Sequence, residues 1–172
     1  MKEKNLIENC IDRRGERKLY DHFMPAMSRL CLRYVGNSEN AFDVLTSGFY
    51  KVFKKLKRFE YKGEGSLDAW IRKIMINECL MLLRKEKQQH LLVNIEHADE
   101  ISIDSFFQVD SEYLYNAIKQ LPTGCREVFN LFVIEGYSHK EIAVLIGITE
   151  SASRSQLTYA KKKLRDFLNQ NY

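Results

Sequence analysis

Turn-forming residues are scarce: 2 prolines and 8 glycines in 172 residues. So few leave little room for a fold of many short strands, and they exclude collagen-like and linker-rich architectures. Cysteine is sparse as well. Cys10, Cys31, Cys79 and Cys125 stand far apart with no C-x-x-C, so neither a disulfide scaffold nor a zinc ribbon is indicated. Cys31 and Cys79 fall in apolar helical patterns, where a cysteine is a small buried hydrophobe. No apolar run approaches the ~20 residues of a membrane span. The N-terminal Met1-Lys2-Glu3-Lys4-Asn5 leads into no long apolar stretch of the secretory kind, so a cytoplasmic location is expected. His22, His90, His97 and His139 are scattered and have no metal-ligand spacing. There is no P-loop and no G-x-G-x-x-G, and the Gly63-Glu64-Gly65 triplet has no strand before it. No catalytic residue, metal or cofactor is expected.

One stretch has no positive charge at all. Between Gln88 and Ile118 there is no Lys or Arg, while Glu96, Asp99, Glu100, Asp104, Asp110 and Glu112 are all present. Basic blocks flank it. Up to Lys87 there are 19 Lys and Arg against 12 Asp and Glu, and from Lys119 onward 8 against 5. Blocks of this sign attract polyanions through phosphate contacts and counterion release, or are solvated helix faces. The acidic stretch also holds Ile95, Ile101, Ile103, Phe106 and Phe107, so it is expected to be a connector that docks on something.

Hydrophobic residues make up 45% of the chain and charged residues 29%, which suits a globular protein with real cores. The apolar spacing is helical. Leu19, Phe23, Met27, Leu30 and Tyr34 predict a helix over about 16–34. After the Gly36-Asn37-Ser38 turn, with Ser38 as N-cap, a second helix runs to about Lys57. Its inner stripe is Phe42, Leu45, Phe49, Val52, Phe53 and Leu56, and Lys51, Lys54, Lys55 and Lys57 lie opposite. The segment 59–65 (FEYKGEG) breaks the pattern. Ser66 then caps a third helix through Leu67, Trp70, Ile71, Ile74, Cys79, Leu82 and Leu83, with Trp70 assigned to the core. Four shorter helices follow. Tyr113, Leu114, Ala117, Ile118 and Leu121 mark the first, which Pro122 ends. Thr123 caps the next, with Val128, Phe129, Phe132 and Val133 inside and Gly136 at its end. Ser138-His139-Lys140-Glu141 is a capping box. Gly147 makes a tight turn, and Thr149 caps a last helix. The fold class is all-α: two small helical domains joined by a linker, the second a helix-turn-helix. The boundaries are 1–87, 88–110 and 111–172.

The helix-turn-helix carries the chemistry. A helix fits the DNA major groove, and its first turns reach base edges. On the last helix Ser153, Leu157, Ala160 and Leu164 face inward, while Ser151, Arg154, Ser155, Thr158 and Lys162 face outward. Arg154 can fork onto a guanine. Lys161, Lys162, Lys163 and Arg165 suit phosphates, which hold register. An ordinary helical hairpin with a lysine-rich end has the same outline.

Three blocks together resemble an extracytoplasmic-function sigma factor of bacterial RNA polymerase: YVGNSENAFDVLTSGFYKVFKKL, YKGEGSLDAWIRKIMINECLMLLRKEK, and LPTGCREVFNLFVIEGYSHKEIAVLIGITESASRSQLTYAKKKLR. The resemblance covers about residues 19–87 and 113–165. It implies a first domain that binds core polymerase and opens the −10 promoter element, and a second that reads the −35 element. By this likeness Asp43, Thr46, Ser47 and Tyr50 would face the polymerase. Tyr61, Lys62, Gly63, Ser66, Arg72, Lys73 and Asn77 would meet the −10 strand. Ser151, Arg154, Ser155, Gln156, Thr158, Tyr159, Lys161 and Lys162 would meet the −35 duplex. The acidic connector would thread into the polymerase near the RNA path, and an anti-sigma partner is implied. Thr46 and Ser47 depart from the Gln and Glu frequent in the family, and Ser153 and Gln156 from a valine and an arginine. The rival readings are an enzyme, a helix-turn-helix transcriptional regulator that is not a polymerase subunit, and a sigma-like partner that cannot open promoters.

Overall fold

A computed structural model of the chain describes residues 2–10, 13–92 and 112–170, and every regular element among them is helical. Contacts divide the chain into two units, Met1–Phe107 and Gln108–Tyr172. The first contains α1 (Glu3–Glu8), α2 (Arg13–Val35), α3 (Ser38–Leu56) and α4 (Ser66–Leu92). The apolar stripe of α2 is the core of this unit. Leu19, Phe23, Met27, Leu30 and Tyr34 are all buried, against Leu45, Phe49 and Val52 of α3 and Leu67, Ile71, Met75 and Cys79 of α4. At 25 cal/mol per Å² of apolar surface, each of these large side chains contributes about 1.5–3 kcal/mol of transfer free energy.

α3 and α4 run antiparallel and are joined at three levels. Asn40 Nδ2 donates to Glu86 Oε1 at 2.7 Å. Lys51 Nζ donates to Glu78 Oε1 at 2.5 Å, where the carboxylate is buried. Beside the second of these, the Met75 thioether occupies the space a Cβ on residue 48 would need, so a larger residue there would have to displace that side chain. α1 was not expected from the sequence, and α4 extends to Leu92. Ser38 is the first residue of α3 rather than its cap. The cap is Asn37, whose side chain accepts from Asn40 N at 2.7 Å. Phe42 is 65% exposed instead of lying on the inner stripe. The buried arc of α3 is set by Ala41, Val44, Leu45 and Gly48, and Phe42 falls just past its edge. Trp70 is half-buried at the surface, its ring 4.8 Å from that of Phe59, so it pins the start of the loop and does not fill the core.

The second unit contains α5 (Glu112–Lys119), α6 (Thr123–Phe129), a π-helical turn (Asn130–Ile134), α7 (His139–Ile146) and α8 (Glu150–Gln170). α6 starts at Thr123 with Pro122 in the cap position and no side-chain cap bond. The sequence reading placed Val133 inside. It is exposed instead, and the π turn is the reason: its extra residue advances the helix, so Leu131 turns inward and Val133 and Ile134 turn out. Gly136 ends this segment with Tyr137 N donating to Leu131 O at 2.9 Å. The Arg126 guanidinium donates to Lys119 O at 3.0 Å and so closes the end of α5. The capping box at α7 is complete, and Thr149 caps α8 through Ala152 N at 3.1 Å. Ile95, Ile101, Ile103, Phe106 and Phe107 of the connector lie outside the described residues.

Candidate nucleic-acid interfaces

α8 is held by one face so that the other is free. Leu157, Ala160 and Leu164 are buried, and Ser153 is fully buried with its hydroxyl 2.8 Å from His139 Nδ1. The His139 ring stacks on Phe132 at 4.4 Å. This pins the first turn of α8 to the start of α7. Ser151, Arg154, Ser155, Thr158, Tyr159, Lys161 and Lys162 all lie exposed on the remaining surface. Arg154 Nη2 is 2.9 Å from Glu150 Oε2, one turn back. Thr158 turns its hydroxyl onto the Arg154 carbonyl at 3.0 Å. Lys163 Nζ lies 5.8 Å from the Tyr159 ring. Gln156 departs from the expected set. It is half-buried, and its carboxamide lies over Gly124 of α6, with Nε2 3.3 Å from where a Cβ would stand. It therefore points at the protein and not outward with Arg154.

In the first unit the loop 59–65 and the start of α4 form a second polar surface. Gly65 has φ +87° and Gly63 +113°, left-handed values that favour glycine. Ser66 does not cap α4 as expected. Its hydroxyl donates to Gly63 O at 2.5 Å and accepts from Lys62 N at 3.2 Å, closing the loop on itself. The cap comes from Glu3. Its carboxylate accepts from Gly65 N at 2.9 Å, Leu67 N at 3.0 Å and Asp68 N at 2.9 Å. Three donors at a helix N-terminus, where the dipole favours negative charge, compensate a carboxylate that is 5% exposed. Tyr61 donates to Glu64 Oε2 at 3.2 Å. Desolvation, then the Glu64 hydrogen bond and the Glu64 and Glu3 charges, raise its pKa, so it remains a neutral donor. Arg72 Nε is paired with Asp68 at 2.7 Å. Lys73 and Asn77 are exposed one turn apart, and Met81, 54% exposed, continues that line.

A third surface lies on α3. Asp43, Thr46, Ser47 and Tyr50 are all exposed on one side, and Phe42 extends it. Lys54 Nζ is 5.9 Å from the Tyr50 ring. Sequence reasoning missed Glu3, Glu150, Met81 and the outward Phe42. Only Glu150 carried a readable signal, its i,i+4 spacing to Arg154.

Two family profiles match the chain: Sigma-70 region 2 over residues 19–89 and Sigma-70, region 4 over residues 111–164. The chain belongs to the sigma-70 family of RNA polymerase sigma factors, in its extracytoplasmic-function branch. The first match answers the rival of a lone helix-turn-helix regulator, because region 2 lies in the unit such a regulator would not have. Among curated relatives, the sigma factor CarQ of Myxococcus xanthus is 29% identical over 157 residues, covering 88% of each chain. SigZ of Bacillus subtilis is 26% identical, over 87% of this sigma factor and 85% of the relative. The ECF sigma factor SigE of Mycolicibacterium smegmatis is 25% identical over 81% of this chain, which spans 56% of that longer relative. The fold is that of the sigma factor RpoE from Bartonella quintana, solved with the anti-sigma factor NepR. Here the TM-score is 0.59 at 19% identity, over 89% and 96% of the two chains. Sigma factors are in general non-catalytic initiation factors. Among the described residues no helix is long and apolar enough to cross a membrane.

Proposed function

We propose that this sigma factor binds core RNA polymerase and directs promoter-specific initiation, with residues 1–87 reading and opening the −10 element and 111–172 reading the −35 element. The observation that carries this reading is the presence of regions 2 and 4 on one chain, and it is supported by an exposed polar helix face in each unit. Asp43, Thr46, Ser47 and Tyr50, joined by Phe42, face the polymerase. Tyr61, Lys62, Gly63, Ser66, Arg72, Lys73 and Asn77 receive the melted strand. An opened strand needs aromatic platforms, positive charge and close backbone approach, and this loop and helix supply all three. Ser151, Arg154, Ser155, Thr158, Tyr159, Lys161 and Lys162 meet the duplex, with Gln156 supporting the helix from behind. The acidic segment 88–110 links the two.

The chain itself supplies no catalytic group, since phosphodiester chemistry belongs to the polymerase, and its place of action is the cytoplasm. An anti-sigma protein is the expected inhibitor, because RpoE, which shares the fold, was solved with one. Run-off transcription with core polymerase and a library of genomic fragments tests the whole reading. Defined start sites that depend on this chain are expected. DNA binding without initiation would overturn it.

A further inference from the structure

We propose that Glu3 is a positioning residue for promoter recognition: buried beneath the N-terminus of α4, it holds the Tyr61–Ser66 loop in the conformation that receives a promoter base. This rests on the reading of that loop as the −10 contact. The loop has two left-handed glycines and exposed backbone, so by itself it samples many shapes. Its internal bonds, from the Ser66 hydroxyl to the Gly63 carbonyl and from Lys62 N to that hydroxyl, give it a local shape. They do not fix how it sits on the helix.

Glu3 does so from two directions. Its carboxylate takes the N–H groups of Gly65, Leu67 and Asp68, which ties the end of the loop and the first turn of α4 to one anion. Its own N–H donates to Glu64 Oε1 at 3.2 Å, and the other oxygen of Glu64 accepts the Tyr61 hydroxyl. The chain of contacts therefore runs from α1 through Glu64 to the ring offered to the strand. α1 is anchored by Leu6, which is 2% exposed. The groups meant to contact the base, Tyr61 and Lys62, remain at the surface, so Glu3 acts through them and touches no DNA.

The experiment uses the full chain with core polymerase. It measures the relative affinity for fork-junction DNA bearing each of the four bases at every −10 position, together with permanganate reactivity of −10 thymines on duplex promoters. Glu3→Gln keeps the volume but turns an N–H donor toward backbone donors. Discrimination at the loop's position is expected to fall about 3- to 10-fold, with core affinity and −35 preference unchanged. Glu3→Asp, which keeps the charge and shortens the reach, should lie between the two. Leu30→Val, a cavity in the α2 core, serves as a stability control and should leave base discrimination intact. Equal loss in that variant would reduce Glu3 to a structural role and overturn the proposal. Tyr61→Ala separates the two layers. If it loses discrimination while Glu3→Gln does not, the positioning role is wrong and the loop reading stands. If it changes nothing, the loop reading falls and the proposal with it.

Discussion

The two helices proposed to meet nucleic acid are fastened by different means. The N-terminal turn of α8 is closed by near neighbours in sequence: Thr149 caps it three residues ahead, Glu150 holds Arg154 one turn on, and the Ser153 hydrogen bond to His139 spans 14 residues. α4 depends on distant ones. Its N-terminus is closed by Glu3, 62 to 65 residues away, and its body is tied to α3 by Lys51 across 27 residues and Asn40 across 46. Local fastenings favour the start of a helix before tertiary packing begins, and packing of the apolar face then supplies most of its stability. A helix with remote fastenings takes its final form only when its whole unit has assembled.

The largest expected contrast lies in the ion pairs. Lys51→Ala leaves the buried Glu78 carboxylate without its cation. The first unit should lose about 2–4 kcal/mol in denaturant unfolding, because an unpaired buried charge costs more than its pair contributed. Replacing both by methionine should bring stability back to within about 1 kcal/mol of the parent. Glu150→Ala, the matching break in α8, should change stability by less than about 0.5 kcal/mol, as exposed pairs do. Similar losses at the two sites would erase the distinction between remote and local fastening.

A smaller effect separates roles within α8. Arg154→Ala should cost about 1–3 kcal/mol at one base of the −35 element and relax preference there. Lys162→Ala should weaken all sequences alike and lower the salt dependence by about one phosphate contact. Binding of the polymerase complex to promoters with single −35 changes, at several salt concentrations, measures both. A base-specific effect from Lys162 would place the helix in another register.

The smallest effect concerns the exposed capping box. Ser138→Ala should destabilise the second unit by about 1 kcal/mol. The Ser138 hydroxyl, and then its backbone N–H, lower the Glu141 pKa from the ordinary 4.5. The folded value is the depressed one, so the contribution is fully present above pH 4.5 and is lost as pH falls through the lower folded value. Helix content of the parent and of Glu141→Gln should therefore converge on acidification below that point. Curves that stay parallel would dissociate the carboxylate from the cap.

The same contrast explains how much the sequence could show. The stripe Leu19, Phe23, Met27, Leu30 and Tyr34 was legible because one period puts all five on one face, and all are buried. The Ser138–Glu141 box and the Thr149 cap were legible because their partners lie three residues apart. Glu3 was not, since nothing in its neighbourhood points to a helix that begins 63 residues later. Val133 was misplaced because a π turn breaks the period on which the wheel depends. Gln156 was assigned to the −35 duplex by resemblance and not by the wheel, and Gly124, over which its carboxamide lies, is on another helix. Periodicity finds faces, and only packing decides what occupies them.

The missing Cβ at Gly48 has a mechanical consequence. With the Met75 thioether seated in that gap, and Asn40–Glu86 and Lys51–Glu78 joining the same two helices, sliding α3 along α4 would have to break both hydrogen bonds and displace that side chain. They form a braced pair, one helix bearing the exposed Asp43 and Tyr50 and the other the exposed Lys73 and Asn77. Docking of the first helix on a large partner would therefore also orient the second.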